Sequence, residues 1–133
     1  MRYRNIAALP IPADFPIPTC GRCAAEYLNR ATCERLAPLL LRSYQAALRS
    51  GAATLITAAT ANISQRRIEA VLCLSQGYLS RLKSRSGQPS SILVALLHLL
   101  TQPGAVAELE RFFAFLGCPE ILGTTGQSSG VFE

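Results

Sequence analysis

From about Thr32 to Phe115, apolar residues return every three or four positions, and the alternation expected of a half-buried strand is absent. Helix is therefore predicted for almost the whole interval. Leu36, Leu40, Tyr44, Ala47 and Leu48 share one helical face. Pro38 lies among them and suits either the first turn of a helix or a kink in a longer one. Gly51 weakens the next stretch. Leu55, Ile56 and Ala59 then predict a short helix turned towards a core, with Asn62 placed to stop it.

Ser64 predicts an N-cap for a helix over Gln65–Leu72, because its hydroxyl can accept from an amide that the first turn leaves bare. Ser75 predicts the same for Gln76–Ser84, with Cys73 and Leu74 forming the short gap between the two. Gly87 and Pro89 break the chain, and Ser90 or Ser91 caps Ile92–Leu100. That run is apolar nearly all round, which predicts a central buried helix. Gln102-Pro103-Gly104 ends it. A last amphipathic helix carries Val106, Leu109, Phe112, Phe113 and Leu116 and closes at Gly117.

The ends read differently. Residues 1–19 hold Pro10, Pro12, Pro16 and Pro18, so extended backbone draped over the rest is expected. Residues 123–133 are rich in Gly, Ser, Thr and Gln, which predicts a disordered end to the chain. The expected organisation is a Pro-rich segment with a Cys-x-x-Cys turn (1–31), a helical connector or dimerisation helix (32–51), a helical unit (52–117) and a flexible tail (118–133). The fold class is all-α. A chain of 133 residues is too short for an α/β barrel, and 50% apolar against 16% charged residues excludes extensive disorder.

Charge sharpens the picture. The formal net charge is +5, and five basic residues (Arg66, Arg67, Arg81, Lys83, Arg85) fall between positions 64 and 85, with Glu69 as the one acid there. After Gly104 the balance turns acidic, four Glu against Arg111. Two short helices cannot bury each other, so Ile68, Val71, Leu72, Leu79 and Leu82 should face the helix at Ile92–Leu100, with Leu74 plugging the turn. The opposite face presents Gln76, Gly77, Tyr78, Ser80, Arg81, Lys83 and Arg85. A local positive field of this kind suits DNA.

The run Ile63-Ser64-Gln65 through Leu74-Ser75-Gln76-Gly77-Tyr78-Leu79-Ser80-Arg81-Leu82-Lys83 resembles the five-helix helix-turn-helix domain of lambda-repressor-like phage repressors and Cro proteins. In that family a Ser/Thr-Gln pair opens the second helix and another opens the recognition helix eleven residues later, the separation of Gln65 and Gln76 here. The resemblance covers roughly residues 52–116. It implies base reading by Gln76, Gly77, Ser80 and Arg81, and backbone contacts from Ser64, Gln65, Ser75, Lys83 and Arg85, with Arg66 and Arg67 adding to the positive surface. Gln can pair bidentately with adenine and Arg with guanine. Tyr78 either packs on the recognition helix or touches phosphate. Two departures matter: Cys73 stands where the family has Gly in left-handed backbone, and Gly77 removes one base-reading side chain.

The five cysteines, Cys20, Cys23, Cys33, Cys73 and Cys118, are odd in number and scattered, which does not read as a disulfide framework. A reduced, cytoplasmic protein is expected. The prolines interrupt any signal-peptide core, and Ile92–Leu100 is far shorter than the ~20 residues of a membrane span. Cys20 and Cys23 form half of a zinc ribbon, and Cys33 is a candidate third ligand with a fourth from another chain. The alternative is a turn with free thiols; redox chemistry would need a βαβ context. A Cys-x-x-Cys element before such a motif also resembles the MqsA-type antitoxins, which implies a toxin-like protein partner, met through residues 1–50. His98, in Leu96-Leu97-His98-Leu99-Leu100, reads as a core or interface residue, and one histidine assembles no catalytic set. No enzymatic activity is expected. The expected function is a transcriptional regulator, repressor or autoregulator, that binds double-stranded DNA as a homodimer, with Leu36–Leu48 and Val106–Leu116 as candidate dimer surfaces. The competing expectation is an antitoxin-like or adaptor module in which DNA is secondary.

Overall fold

In the computed structural model, which describes residues 1–117, the chain is all-α with five helices: α1 (Arg30–Ala59), α2 (Gln65–Val71), α3 (Tyr78–Lys83), α4 (Ser91–Leu100) and α5 (Ala105–Leu116). No strand occurs among the described residues, only isolated antiparallel bridges at Tyr3–Ile6 and Thr19–Glu26. The tail expected over 118–133 lies outside the described residues.

The connector and the first short helix are one element. α1 runs unbroken for 30 residues through Pro38 and Gly51, so no break falls at the expected 51/52 boundary. A glycine inside a helix costs only about 1 kcal/mol against alanine, which tertiary packing overrides. Here α4 passes close by: a Cβ on Gly51 would meet Val94 Cγ1 at 3.9 Å. α1 starts at Asn29, whose side chain accepts from the Thr32 amide at 2.8 Å. It stops before Asn62 is reached, at Thr60, whose amide and hydroxyl both donate to the Ile56 carbonyl (2.9 and 2.7 Å).

The main core joins Ala52, Ile56 and Ala59 of α1 to Ile68, Val71, Leu79, Leu82, Leu93, Leu97, Leu100 and Val106. α3 and α4 pack on α1, and α5 packs on α2 and α4. A smaller cluster of Leu9, Tyr44 and Leu48 lies beneath the N-terminal segment, which is draped over the first half of α1 as expected. Met1 and Leu9 exchange backbone hydrogen bonds, Ser43 Oγ donates to the Pro10 carbonyl at 2.9 Å, and the Tyr44 hydroxyl donates to Asn5 Oδ1 at 3.0 Å. The Arg4 guanidinium lies over the rings of both Tyr3 and Tyr44.

Two expectations about burial need correction. α4 is not buried all round: Leu93, Leu97 and Leu100 enter the core, while Ile92 and Leu99 are exposed, and His98 is exposed with them. In α5 only Val106 is fully buried, and Phe112, Phe113, Phe115 and Leu116 face outward. α4 and α5 bend by 109° at the break between them; α5 meets the core through Ala105, Val106 and Leu109, and its later residues face outward. No single helix among the described residues is long and apolar enough to cross a membrane.

Candidate nucleic-acid interface

α2 begins where its sequence says it should. Ser64 has extended backbone, and its hydroxyl accepts from the Arg67 amide at 3.3 Å. Ser90 caps α4 in the same way, accepting from Leu93 at 3.1 Å. Ser75 does not cap α3. That helix starts at Tyr78 rather than Gln76, because Gly77 adopts left-handed backbone (φ 82°) that a helix cannot contain. Gln76 and Gly77 therefore sit in the turn, and Ser75 Oγ instead accepts from the Arg81 guanidinium at 3.3 Å.

The missing cap is supplied from a distance by Glu69. This carboxylate is 3% exposed and accepts from the amides of Leu79 (3.0 Å) and Gly77 (3.3 Å) and from Gln65 Nε2 (3.3 Å). A carboxylate at a helix N-terminus satisfies bare amides and opposes the positive end of the helix dipole. Sequence reasoning counted Glu69 only as the acid among bases; that oddity was the available signal. Gln65 Nε2 also donates to Ser80 Oγ at 2.8 Å, tying the start of α2 to the outer face of α3.

Cys73, which replaces the Gly of the resemblance, nonetheless has left-handed backbone at φ 56°. Arg85 has φ 63° just after α3, which lets the Ser86 amide return to the Arg81 carbonyl at 3.0 Å. Each non-glycine residue in this region carries a strain of about 1–2 kcal/mol.

The positive residues divide. Arg67 makes a bidentate pair with Glu110 of α5, at 2.6 to 3.1 Å. The Glu110 carboxylate, hydrogen-bonded to Arg67, raises the Arg67 pKa, and Arg67 holds Glu110 below the ordinary carboxylate range. Arg67 is thus committed within the fold. Arg66, Lys83 and Arg85 are exposed and form no salt bridge among the described residues. Arg81 is exposed too, its guanidinium over the Tyr78 ring, and Tyr78 is half-buried against the core. Leu79 and Leu82 are buried on the opposite side of α3. Ser64, Arg66, Ser75, Gln76, Ser80, Arg81, Lys83 and Arg85 are each exposed, on α2, on α3 and in the turns that flank them.

The cysteines fall elsewhere. Cys20 and Cys23 lie in the loop closed by the Thr19–Glu26 bridge, while Cys33 is exposed on the first turns of α1. Cys33 is not drawn into a ligand set: no three His, Cys, Asp or Glu side chains among the described residues gather into a metal-sized group. The chain matches no protein-family model, no curated protein and no solved structure.

Proposed function

We propose that the chain is a sequence-specific DNA-binding regulator of the helix-turn-helix type, acting as a homodimer that places α3 and the turn before it in the major groove. The observation that carries this reading is the two-sided character of α3. Leu79 and Leu82 fix it to the core while Ser80, Arg81 and Lys83 are exposed, as are Gln76 before it and Arg85 after it. Arg81 and Gln76 have the donors that read guanine and adenine edges, and Lys83, Arg85 and Arg66 suit phosphates. Two copies on half-sites about one helical turn apart would supply the affinity that one short helix lacks. Occupying its own promoter would make the protein a repressor or autoregulator.

The test is fluorescence anisotropy with DNA from the protein's own upstream region and with scrambled DNA, at two salt concentrations. Tighter binding to the upstream DNA, weakening steeply with salt, is expected. Arg81→Ala should lose about 1–3 kcal/mol and relax preference at one base pair, whereas Lys83→Ala should weaken all sequences alike. Unchanged affinity and preference in Arg81→Ala would overturn the placement of the recognition surface. Arg85→Gly separates fold from function: relief of the left-handed strain should hold or raise stability, while the lost cation weakens binding.

A second reading, an antitoxin-like or adaptor module, is favoured by the outward aromatic side of α5, where Phe112, Phe113 and Phe115 are 51%, 51% and 60% exposed. Binding to a protein partner with little salt dependence, together with equal and weak DNA binding, would select it.

A further inference from the structure

The loop at Cys20–Cys23 has a geometry that the DNA-binding reading does not use. Pro18 and Tyr27, and Cys20 and Ala25, are joined by backbone hydrogen bonds on either side of the Thr19–Glu26 bridge (3.0 and 2.8 Å), so a short paired stem carries the loop. The turn closes with the Ala24 amide donating to the Cys20 carbonyl at 2.9 Å, which requires Ala24 at φ 58°. The Arg22 amide points at Cys20 Sγ, at 3.5 Å. Amides aimed at a sulfur favour the thiolate over the thiol.

We propose that Cys20 and Cys23 form half of a tetrahedral zinc–thiolate site, completed by the same two cysteines of a second copy of this chain. A structural zinc site takes four protein ligands, and this loop brings two. Thiolate donors select zinc over the hard cations that prefer oxygen. The described residues offer no third ligand nearby. The loop stands in the open: Cys23 is exposed, Cys20 half-exposed, and a Cβ added to Gly21 would meet nothing within 4 Å. A second hairpin therefore has room to approach along a two-fold axis through the metal. Four thiolates around a divalent ion leave two negative charges, and one Arg22 from each loop offsets them. Binding releases the remaining thiol protons to solvent, with no change of oxidation state.

The stem precedes the first turn of α1, whereas α3 packs on the core around Ala52 and Ile56, well along a helix ~45 Å long. The inference is thus independent of whether α3 reads DNA, and its test uses no DNA. The reduced full-length chain is titrated anaerobically with cobalt(II), and thiolate-to-cobalt absorption and molecular mass are followed. Tetrathiolate visible bands saturating at one cobalt for two chains, bleached by zinc, are expected, with a dimer that EDTA strips of metal. Cys23→Ser should lose the bands, while Cys33→Ser and Cys118→Ser keep them; Cys20 and Cys23 are exposed enough that folding should survive, which far-UV circular dichroism checks. Saturation at one cobalt per chain, loss of the bands in Cys33→Ser or Cys118→Ser, or no uptake by the reduced chain (free thiols or a Cys20–Cys23 disulfide-forming pair) would each overturn the proposal.

Discussion

The two halves of α1 carry the same repeat and are covered in different ways. Thr32, Leu36, Leu40, Tyr44, Leu48, Ala52 and Ile56 are all buried, each four residues after the last. Four residues overshoot one turn of a helix by about 40°, so this stripe winds through about 240° between Thr32 and Ile56. The first half therefore faces a different direction from the second. On the first half the stripe is large, and a proline-rich segment covers it through Leu9 and single hydrogen bonds. On the second half small side chains let α3 and α4 approach, and the cover is a shared core. One helix thus joins a bundle to a strap, and the strength of the two attachments should differ.

The largest expected effect lies on the bundle side. Ile56 is fully buried in the core where α3 and α4 pack on α1. Ile56→Ala should cost about 2–5 kcal/mol, since lost transfer energy and a residual cavity add. Chemical denaturation monitored by circular dichroism checks this. A loss below about 1 kcal/mol, the size expected for a volume-conserving swap, would mean that the second half of α1 is no better anchored than the first.

Next comes Glu69, a polar group on the same side. Glu69→Ala removes the acceptor of the Leu79 and Gly77 amides and leaves buried donors without a partner. The expected loss is about 1–3 kcal/mol. Glu69→Gln keeps one acceptor oxygen and should lose less. Because Glu69 positions α3 and is itself buried, Glu69→Ala should also weaken DNA binding more than Lys83→Ala weakens it if the proposed function holds, and anisotropy reads the difference.

These contrasts explain what could be read from the residues alone. The Ser64 and Ser90 caps were legible because a hydroxyl and an amide three residues on form a local unit. The start of α3 was not, because its cap comes from Glu69, across the turn from α2, while Gly77 supplies the left-handed residue that delays the helix. Cys73 reads as a departure from the family's Gly, yet the tight turn after α2 still holds it in left-handed backbone. α1 read as two helices because Gly51 weakens helix locally, whereas the core packing that overrides this cost is not local. The apolar side of α5 was legible as apolar, but periodicity says only that a face seeks cover. Here the bend at Gly104 carries that face away from the core, and what remains is exposed.

The strap gives a smaller effect. Tyr44→Phe leaves the ring, its edge-to-face contact with Tyr3 and the Arg4 cation in place, and removes only the hydrogen bond to Asn5. A loss of about 0.5–1.5 kcal/mol is expected. Amide hydrogen exchange should show residues 1–10 opening more readily than in the parent, with the α3 and α4 amides unaffected. Equal acceleration in α3 and α4 would show strap and bundle opening as one unit, and the contrast between the halves of α1 would fall.

The smallest effect belongs to the Arg67–Glu110 pair, which joins α2 to α5 in the open, with side chains 47% and 40% exposed. Such pairs contribute little, because solvent screens them and two long side chains must be held still. Its signature is its pH dependence. Glu110 has a folded pKa below its unfolded one, owing to Arg67, so the stabilisation is present above the ordinary carboxylate range and is lost as pH falls through the lowered folded value. Arg67→Gln should therefore be slightly less stable than the parent near neutral pH, the two should converge in acid, and added salt should narrow the gap at neutral pH. A gap that persisted undiminished in acid would mean that Arg67 supports α2 through packing of its aliphatic stem rather than through charge. Apolar contacts of Ala105, Val106 and Leu109 would then hold α5 to the bundle, much as the strap is held on α1 by Leu9.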